Sequence, residues 1–274
     1  MKYALLNFEP ISEEQLQIPV TNRAFQYNDG SFETMLFTNG KVRFLEDHLA
    51  RLQNAAQVLQ LELPAALLEQ ETIAFWIKKL IVENKLSGNI RIKLKVWRRG
   101  NGLYTPDENT AECLITVEPQ MESSHLIEKA DFAETVRTNF SNYSFFKEPN
   151  SLQYVLASIE KKKRNLDEII LLSSDGNVSE CLASNIFWIK NGTVFTSKTE
   201  TGCVAGIMRL NLLRLFRAKN IPLQEGFYLP EALFEAEVVF TSNVAGIKII
   251  RQIQETTFRP ALPPYLQDLL FQLL

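Results

Sequence analysis

At 274 residues, with 46% hydrophobic and 22% charged side chains, the chain is long enough for one large or two medium domains with real cores and too apolar for disorder. A net charge of −3 gives no electrostatic reason to expect nucleic acid as a partner. Three widely spaced cysteines, Cys113, Cys181 and Cys203, lack metal-ligand spacing and argue against a disulfide framework, which fits a reducing cytoplasm.

The opening segment "MKYALLNFEPISEEQ" reads as a first strand, "KYALLNF", that meets acid by Glu9; it is too short for a signal-peptide core. No later apolar run is long enough to span a bilayer, so a soluble, cytoplasmic protein without a membrane partner is expected. Two turn signals follow, Asn28-Asp29-Gly30 and Asn39-Gly40, with strand-like "SFETMLF" between them. From Leu45 the period changes. Leu45, Leu49, Leu52, Ala56 and Leu59 recur every three to four residues, which makes "LEDHLARLQNAAQVLQL" an amphipathic helix. A second helix is expected over "ALLEQETIAFWIKKLIVENK", then strands "NIRIKLKVW" and "AECLITVEP" around the polar loop "RRGNGLYTPDENT".

The polar stretch "EPQMESSH" carries no periodicity and reads as a linker. It suggests an N-terminal domain over 1–118, a linker over 119–125 and a larger C-terminal domain over 126–274. In the second domain a strand near "ADFAETVRT" and a helix near "SLQYVLASIEKKKR" come first; the basic run closing that helix complements its dipole. A strand "EIILLS" leads into "SSDGNVSECLASNIFWIKNG", whose Asp175-Gly176 and Asn191-Gly192 are hairpin-turn dipeptides. A helix "IMRLNLLRLFRAKN", strands near "IPLQEG", "EVVFTS" and "IKIIRQI", and a terminal helix near "PPYLQDLLFQLL" complete the chain. Strands and helices do not alternate as in a doubly wound sheet, so the class is α+β in two domains.

Hydrolase and nucleotide signatures are absent: no G-x-S-x-G, no P-loop, no G-x-G-x-x-G after a strand and no H-E-x-x-H. The only histidines, His48 and His125, sit on the first long helix and in the linker, so neither a histidine-centred triad nor a metal site is expected. Four separated groups remain: Arg51 on a helix, Lys147 just before one, Glu180 in the hairpin region, and "GIMR" (206–209) opening a helix. A lysine can form a Schiff base, an arginine can grip a phosphate bidentately, and a helix N-terminus offers it free N–H groups. A carboxylate can hold a pyridine nitrogen protonated. Together these are what a protein must supply to pyridoxal phosphate, although Arg51 alone reads as a surface charge and Lys147 alone as an ordinary loop lysine.

The ordered series "RAFQYNDGSFET", "LEDHLARLQNAAQVL", "KEPNSLQYVLA", "LDEIILLSSDGNVSECLASNIFWIKNG", "GCVAGIMR" and "AEVVFTSN" resembles the fold type IV pyridoxal-phosphate enzymes. These are the branched-chain aminotransferases, D-amino-acid aminotransferases and aminodeoxychorismate lyases. The resemblance implies their two-domain α+β fold, pyridoxal 5'-phosphate as cofactor, a small amine or amino-acid substrate and a homodimer. It places the Schiff base on Lys147, in the larger C-terminal domain, and the pyridine-nitrogen partner on Glu180. Phosphate contacts fall to Arg51, to the backbone N–H groups of Ile207 and Met208, and to Asn243. The sequence departs from the branched-chain pattern at Ser151, where a cofactor-binding tyrosine often stands.

Within the family, Cys181, Phe187-Trp188 and the methionine of "GIMR" resemble the lyases, whereas "FET" (32–34) is shared with many aminotransferases. The lyase reading leads: 4-amino-4-deoxychorismate converted to 4-aminobenzoate and pyruvate, a step of folate biosynthesis. An amino-acid aminotransferase is the alternative, and a non-catalytic binding protein on this fold is the least favoured. A substrate with two carboxylates calls for additional cations, and Arg98 and Arg99, at the mouth of a loop between strands, are the candidates.

Overall fold

The computed structural model describes residues 2–121, 124–271 and 273. Two compact units emerge, Met1–Glu122 with Phe146–Asn150, and Ser123–Phe145 with Ser151–Leu274. The expected linker over 119–125 falls at this boundary, with residues 122 and 123 outside the described set. Lys147 therefore groups with the N-terminal unit and not with the C-terminal domain in which it was expected. The physical reason is local: the Lys147 carbonyl accepts from the Phe32 N–H at 3.0 Å and from the Ser31 hydroxyl at 3.2 Å.

In the N-terminal unit, alternating apolar residues build strands β1 (Tyr3–Leu6), β2 (Glu9–Ser12), β3 (Gly30–Thr38), β4 (Lys41–Val42), β5 (Ile90–Arg98) and β6 (Ala111–Pro119). They form one antiparallel sheet in the order β2-β1-β6-β5-β3-β4. Asn39 and Gly40 both adopt positive φ (50° and 77°), as the tight β3–β4 hairpin requires. Helix α1 (Arg23–Tyr27) precedes β3, and α2 (Leu45–Leu59) and α3 (Gln70–Glu83) supply side chains to the sheet's core. The α2 stripe buries Leu45, Leu49, Leu52 and Ala56 as its period predicts, but the same face also buries His48 and Arg51. The second expected helix begins later than its apolar pattern suggests. Ala65–Leu67 is a short 3-10 turn, and Glu69, extended at ψ 115°, starts the helix proper.

The C-terminal unit holds two sheets. One, in the order β10-β9-β8-β16-β17, uses β8 (Ala130–Phe132), β9 (Glu168–Leu172), β10 (Val178–Cys181), β16 (Gln252–Ile253) and β17 (Thr256–Thr257). The other, β13-β12-β11-β14-β15-β7, uses β7 (Leu126–Ile127), β11 (Asn185–Lys190), β12 (Thr193–Ser197), β13 (Leu223–Gly226), β14 (Val238–Asn243) and β15 (Gly246–Ile250). The β11–β12 hairpin turns at Asn191-Gly192, both at positive φ, as its dipeptide predicts. "IKIIRQI", expected as one strand, is divided between the sheets: Gly246–Ile250 pairs with β14 and β7, and Gln252–Ile253 pairs with β8 and β17. Helices α4 (Leu152–Lys163), α5 (Ile207–Ala218), α6 (Glu231–Phe234) and α7 (Pro264–Phe271) complete the unit. Residues 272 and 274 of the expected terminal helix lie outside the described residues. Among the described residues no helix is long and apolar enough to cross a membrane.

Candidate active site

The N-terminal unit buries a charged cluster that the helical period of α2 conceals. Glu33, on β3, is 1% exposed and receives both edges of a fork from Arg51: Nε to Oε1 at 2.7 Å and Nη2 to Oε2 at 2.6 Å. His48, one turn before Arg51, places Nδ1 2.6 Å from Oε2. Burial pushes the Glu33 carboxyl up, but the Arg51 charge and the hydrogen bonds from His48 and Arg51 outweigh it and bring it down to about 2. Burial lowers the basicity of His48, against the pull of Glu33, so the imidazole is neutral and donates from Nδ1. Its Nε2 is buried with no hydrogen-bond partner among the described residues. The Lys147 charge also disfavours His48 protonation, and the Lys147 Nζ stands 5.6 Å from the centroid of the Phe32 ring. Arg51 is thus a buried ion-pair partner, 6% exposed, and not the surface charge its type suggests.

In the C-terminal unit, Glu180 sits on β10 just past a bulge. Val178 pairs with Leu172 and Glu180 with Leu171, so Ser179 is the extra residue. A bulge re-aims the side chain that follows it. Here the Ser179 hydroxyl is held by Thr138 at 2.8 Å and by Thr201 at 3.2 Å, which locks the bulge. Glu180 is 4% exposed; its Oε2 accepts from the Val204 N–H at 3.0 Å and its Oε1 from the Tyr154 hydroxyl at 2.7 Å. The loop carrying Val204 runs directly into α5.

The first intrahelical bond of α5 runs from the Leu210 N–H to the Gly206 carbonyl, so the N–H groups of Ile207 and Met208 lie ahead of it and point out of the helix end. Asn185, on β11, closes this end from below by donating Nδ2 to the Val204 carbonyl at 2.8 Å. Directly opposite Asn185 on β14 is Ser242, so the two side chains share a sheet face. The Ser242 Oγ is buried with no hydrogen-bond partner among the described residues. Asn243, expected to contact phosphate, stands at the β14–β15 turn: Nδ2 donates to the Ala183 carbonyl at 3.2 Å and Oδ1 accepts from the Ala245 N–H at 2.9 Å. Strand alternation turns it away from the face that Ser242 occupies.

Gly206 leaves no room for a side chain: a Cβ would stand 2.1 Å from the Asn185 Oδ1. Gly206→Ala is expected to push Asn185 off the Val204 carbonyl and destabilise the protein by about 1–3 kcal/mol, as overpacking does. A thermal melt indistinguishable from that of the parent protein would show that the loop yields freely.

Arg98, expected to bind substrate, is held within its own unit. It is 6% exposed, and donates Nε to Asp29 at 2.9 Å, Nη1 to Asn109 at 2.6 Å and Nη2 to the Leu59 carbonyl at the end of α2. A guanidinium so committed to its own unit argues against a role with substrate. Arg99 is exposed, its nearest carboxylate being Glu108 at 3.9 Å.

Sequence reasoning missed Glu33, His48, Tyr154 and Ser242. For the first two a signal existed, since Glu33 lies in a strand and His48 precedes Arg51 by three residues on the buried stripe of α2. Tyr154 and Ser242 carry no such signal, being an ordinary helix tyrosine and strand serine until their neighbours are known.

A sequence profile described as amino-transferase class IV matches residues 30–253. Aminodeoxychorismate lyase from Bacillus subtilis (strain 168) is 27% identical over 260 residues, covering 92% of this chain and 87% of its own length. D-alanine aminotransferase from Listeria innocua is 27% identical over 246 residues, covering 87% of this chain and 83% of its own. Among solved structures, a branched-chain aminotransferase from the archaeon Thermoproteus uzoniensis superposes with a TM-score of 0.87 at 22% identity, covering 99% of this chain and 93% of that one. That last likeness establishes the fold type IV architecture.

Proposed function

Since this chain belongs to the class IV aminotransferases, a family of pyridoxal-phosphate-dependent enzymes, we propose that it binds pyridoxal 5'-phosphate and acts on a small amine or amino acid. The donor set fits that cofactor. A buried hydroxyl without a partner, on Ser242, faces the helix end where the N–H groups of Ile207 and Met208 are outside the helical ladder. Gly206 keeps the approach to that end free of a side chain. This cradle is the observation that carries the reading, because a helix N-terminus with a buried hydroxyl suits a phosphate. As the family resemblance implies, Arg51 would serve the phosphate, Glu180 the pyridine nitrogen and Lys147 the covalent attachment. Asn243, at the turn that follows Ser242, stays a proposed phosphate contact.

When bound, the cofactor supplies a ring that takes up the electron pair left at the substrate's α-carbon. The chain's residues do the rest. Lys147 would be the group that takes a proton from the substrate's α-carbon as a base and returns one as an acid. Glu180 would supply negative charge to the ring nitrogen and so favour its protonated form. Burial of Glu180 and of the Glu33–His48–Arg51 cluster keeps bulk water from those charges.

Two reactions use this apparatus. We favour the lyase, supported by the Bacillus subtilis relative and by Cys181, Phe187-Trp188 and Met208. One observation favours the amino-acid aminotransferase: with Arg98 committed to Asp29, Asn109 and the end of α2, Arg99 is the one of the two proposed cations left for a second carboxylate. Incubation with aminodeoxychorismate and no 2-oxo acid is expected to release pyruvate. No pyruvate, together with amino transfer from an amino acid to 2-oxoglutarate, would reject the lyase in favour of the aminotransferase. Absence of any covalently held cofactor would favour the non-catalytic binding protein. The family premise also supports a cytoplasmic homodimer. The exposed row Leu152, Val155, Leu156 and Ile159 on α4 is an apolar face that a second copy would cover.

A further inference from the structure

We propose that Tyr154 is a positioning residue that fixes the Glu180 carboxylate and holds it in its ionised form, so that the proton shared with the cofactor stays on the ring nitrogen. The inference rests on the pyridoxal-phosphate reading above and deepens it.

The geometry begins with the bulge at Ser179, which sets Glu180 opposite Leu171 on β9. Directly opposed residues share a sheet face. Leu171 also belongs to the small apolar cluster formed with Ala133, Ala157 and Ile169, and the Tyr154 ring packs against that cluster. One packed surface therefore carries the ring and aims its hydroxyl at the neighbouring carboxylate, 2.7 Å from Oε1. Val204 N–H holds the other oxygen at 3.0 Å, so the carboxylate is clamped through both of its oxygens. A carboxylate gripped in this way cannot rotate to follow a ligand; it presents one orientation.

The direction of the Tyr154 bond matters as much as its length. Burial, reinforced by the Glu180 charge, raises the Tyr154 phenol far above its ordinary value, so it stays protonated and acts as a donor. A donor to a carboxylate stabilises the charged form and lowers its proton affinity. Between a pyridine nitrogen and a weakened carboxylate base, the proton stays with the nitrogen, which is the electron-withdrawing form. Remove the hydroxyl and the buried Glu180 becomes the stronger base, drawing the proton toward itself. Ser151, where related sequences often place a cofactor-binding tyrosine, offers no such hydroxyl, and Tyr154 lies one turn further along the same helix.

The test loads the protein with pyridoxal phosphate labelled with 15N at the ring nitrogen and reads the nitrogen's NMR shift, which differs between protonated and neutral pyridine. In the parent protein the signal is expected at the protonated position. In Tyr154→Phe it moves toward the neutral position, and turnover falls about tenfold, the scale of one hydrogen bond to a charged group. Glu180→Gln is expected to move the signal the same way, and the double variant no further, because the hydroxyl acts only through Glu180. An unmoved signal in Tyr154→Phe, or fully additive effects in the double variant, overturns the proposal. If Tyr154→Phe does not fold, 3-fluorotyrosine at position 154 replaces it. This more acidic phenol donates more strongly and is expected to hold the signal at the protonated limit, with a shift toward neutral counting against the proposal. A parent protein that takes up no cofactor fails the functional reading itself, a result distinct from an unmoved signal in a loaded variant.

Discussion

Lys147→Ala is expected to leave a folded protein that holds no covalent cofactor and has lost at least about 10²–10⁴-fold of its activity, the range a positioned proton-transfer group contributes. The fold is spared for a structural reason. Lys147 is anchored through its carbonyl, which accepts from the Phe32 N–H and the Ser31 hydroxyl, and an alanine keeps that carbonyl in place. The absorbance of protein incubated with pyridoxal phosphate and then dialysed reports the covalent link, and a thermal melt reports the fold. A band that persisted unchanged in Lys147→Ala would place the attachment on another amine and overturn the assignment.

Glu33→Gln is expected to cost about 3–5 kcal/mol, because it leaves the 6%-exposed Arg51 guanidinium buried without its counter-charge. The carboxyl's own titration gives a similar figure. Its fall from 4.5 to about 2 is worth about 3 kcal/mol at about 1.4 kcal/mol per pH unit. The sign follows from the depressed value: this stabilisation is complete above pH 4.5 and is lost as the pH falls toward 2. His48 adds to the same trend. It is neutral in the fold and gains a proton on unfolding, so stability begins to fall below its ordinary value of 6.5. Urea denaturation across pH 7 to 3 should show the parent protein weakening from about pH 6 and more steeply below 4.5, whereas Glu33→Gln should be weak at pH 7 and flatter below 4.5. A Glu33→Gln protein within about 1 kcal/mol of the parent at pH 7 would mean that the cluster is not what secures α2 on the sheet.

Most elements could be read from pattern. The apolar stripe of α2, the Asn-Gly turns and the helix opening at "GIMR" are local features, each set by neighbours within a few residues. The places where the reading failed share a different origin. "IKIIRQI" is uniformly strand-like, yet its two halves pair in different sheets, the first with β14 and β7 and the second with β8 and β17, partners distant in sequence or set by a later turn. Arg98 has the exposure expected of a loop cation only until Asp29, Asn109 and the end of α2 are brought around it. Asn243 and Ser242 are adjacent in the chain, and only the pairing of β14 with β11 decides which of them faces the α5 N-terminus.

The sequence by itself determined the family and the roster of groups: a lysine, a glutamate, an arginine and a helix opening, in an order and spacing that survive without coordinates. The tertiary structure alone decided how those groups are committed. It paired Arg51 with Glu33, set Arg98 against Asp29 and Asn109, set Asn243 against Ala183 and Ala245, and set Tyr154 on Glu180. The physical reason is that residue type and local period fix what a side chain can donate, accept or bury, whereas its partner is chosen by strand register, bulge and packing between segments far apart in the chain.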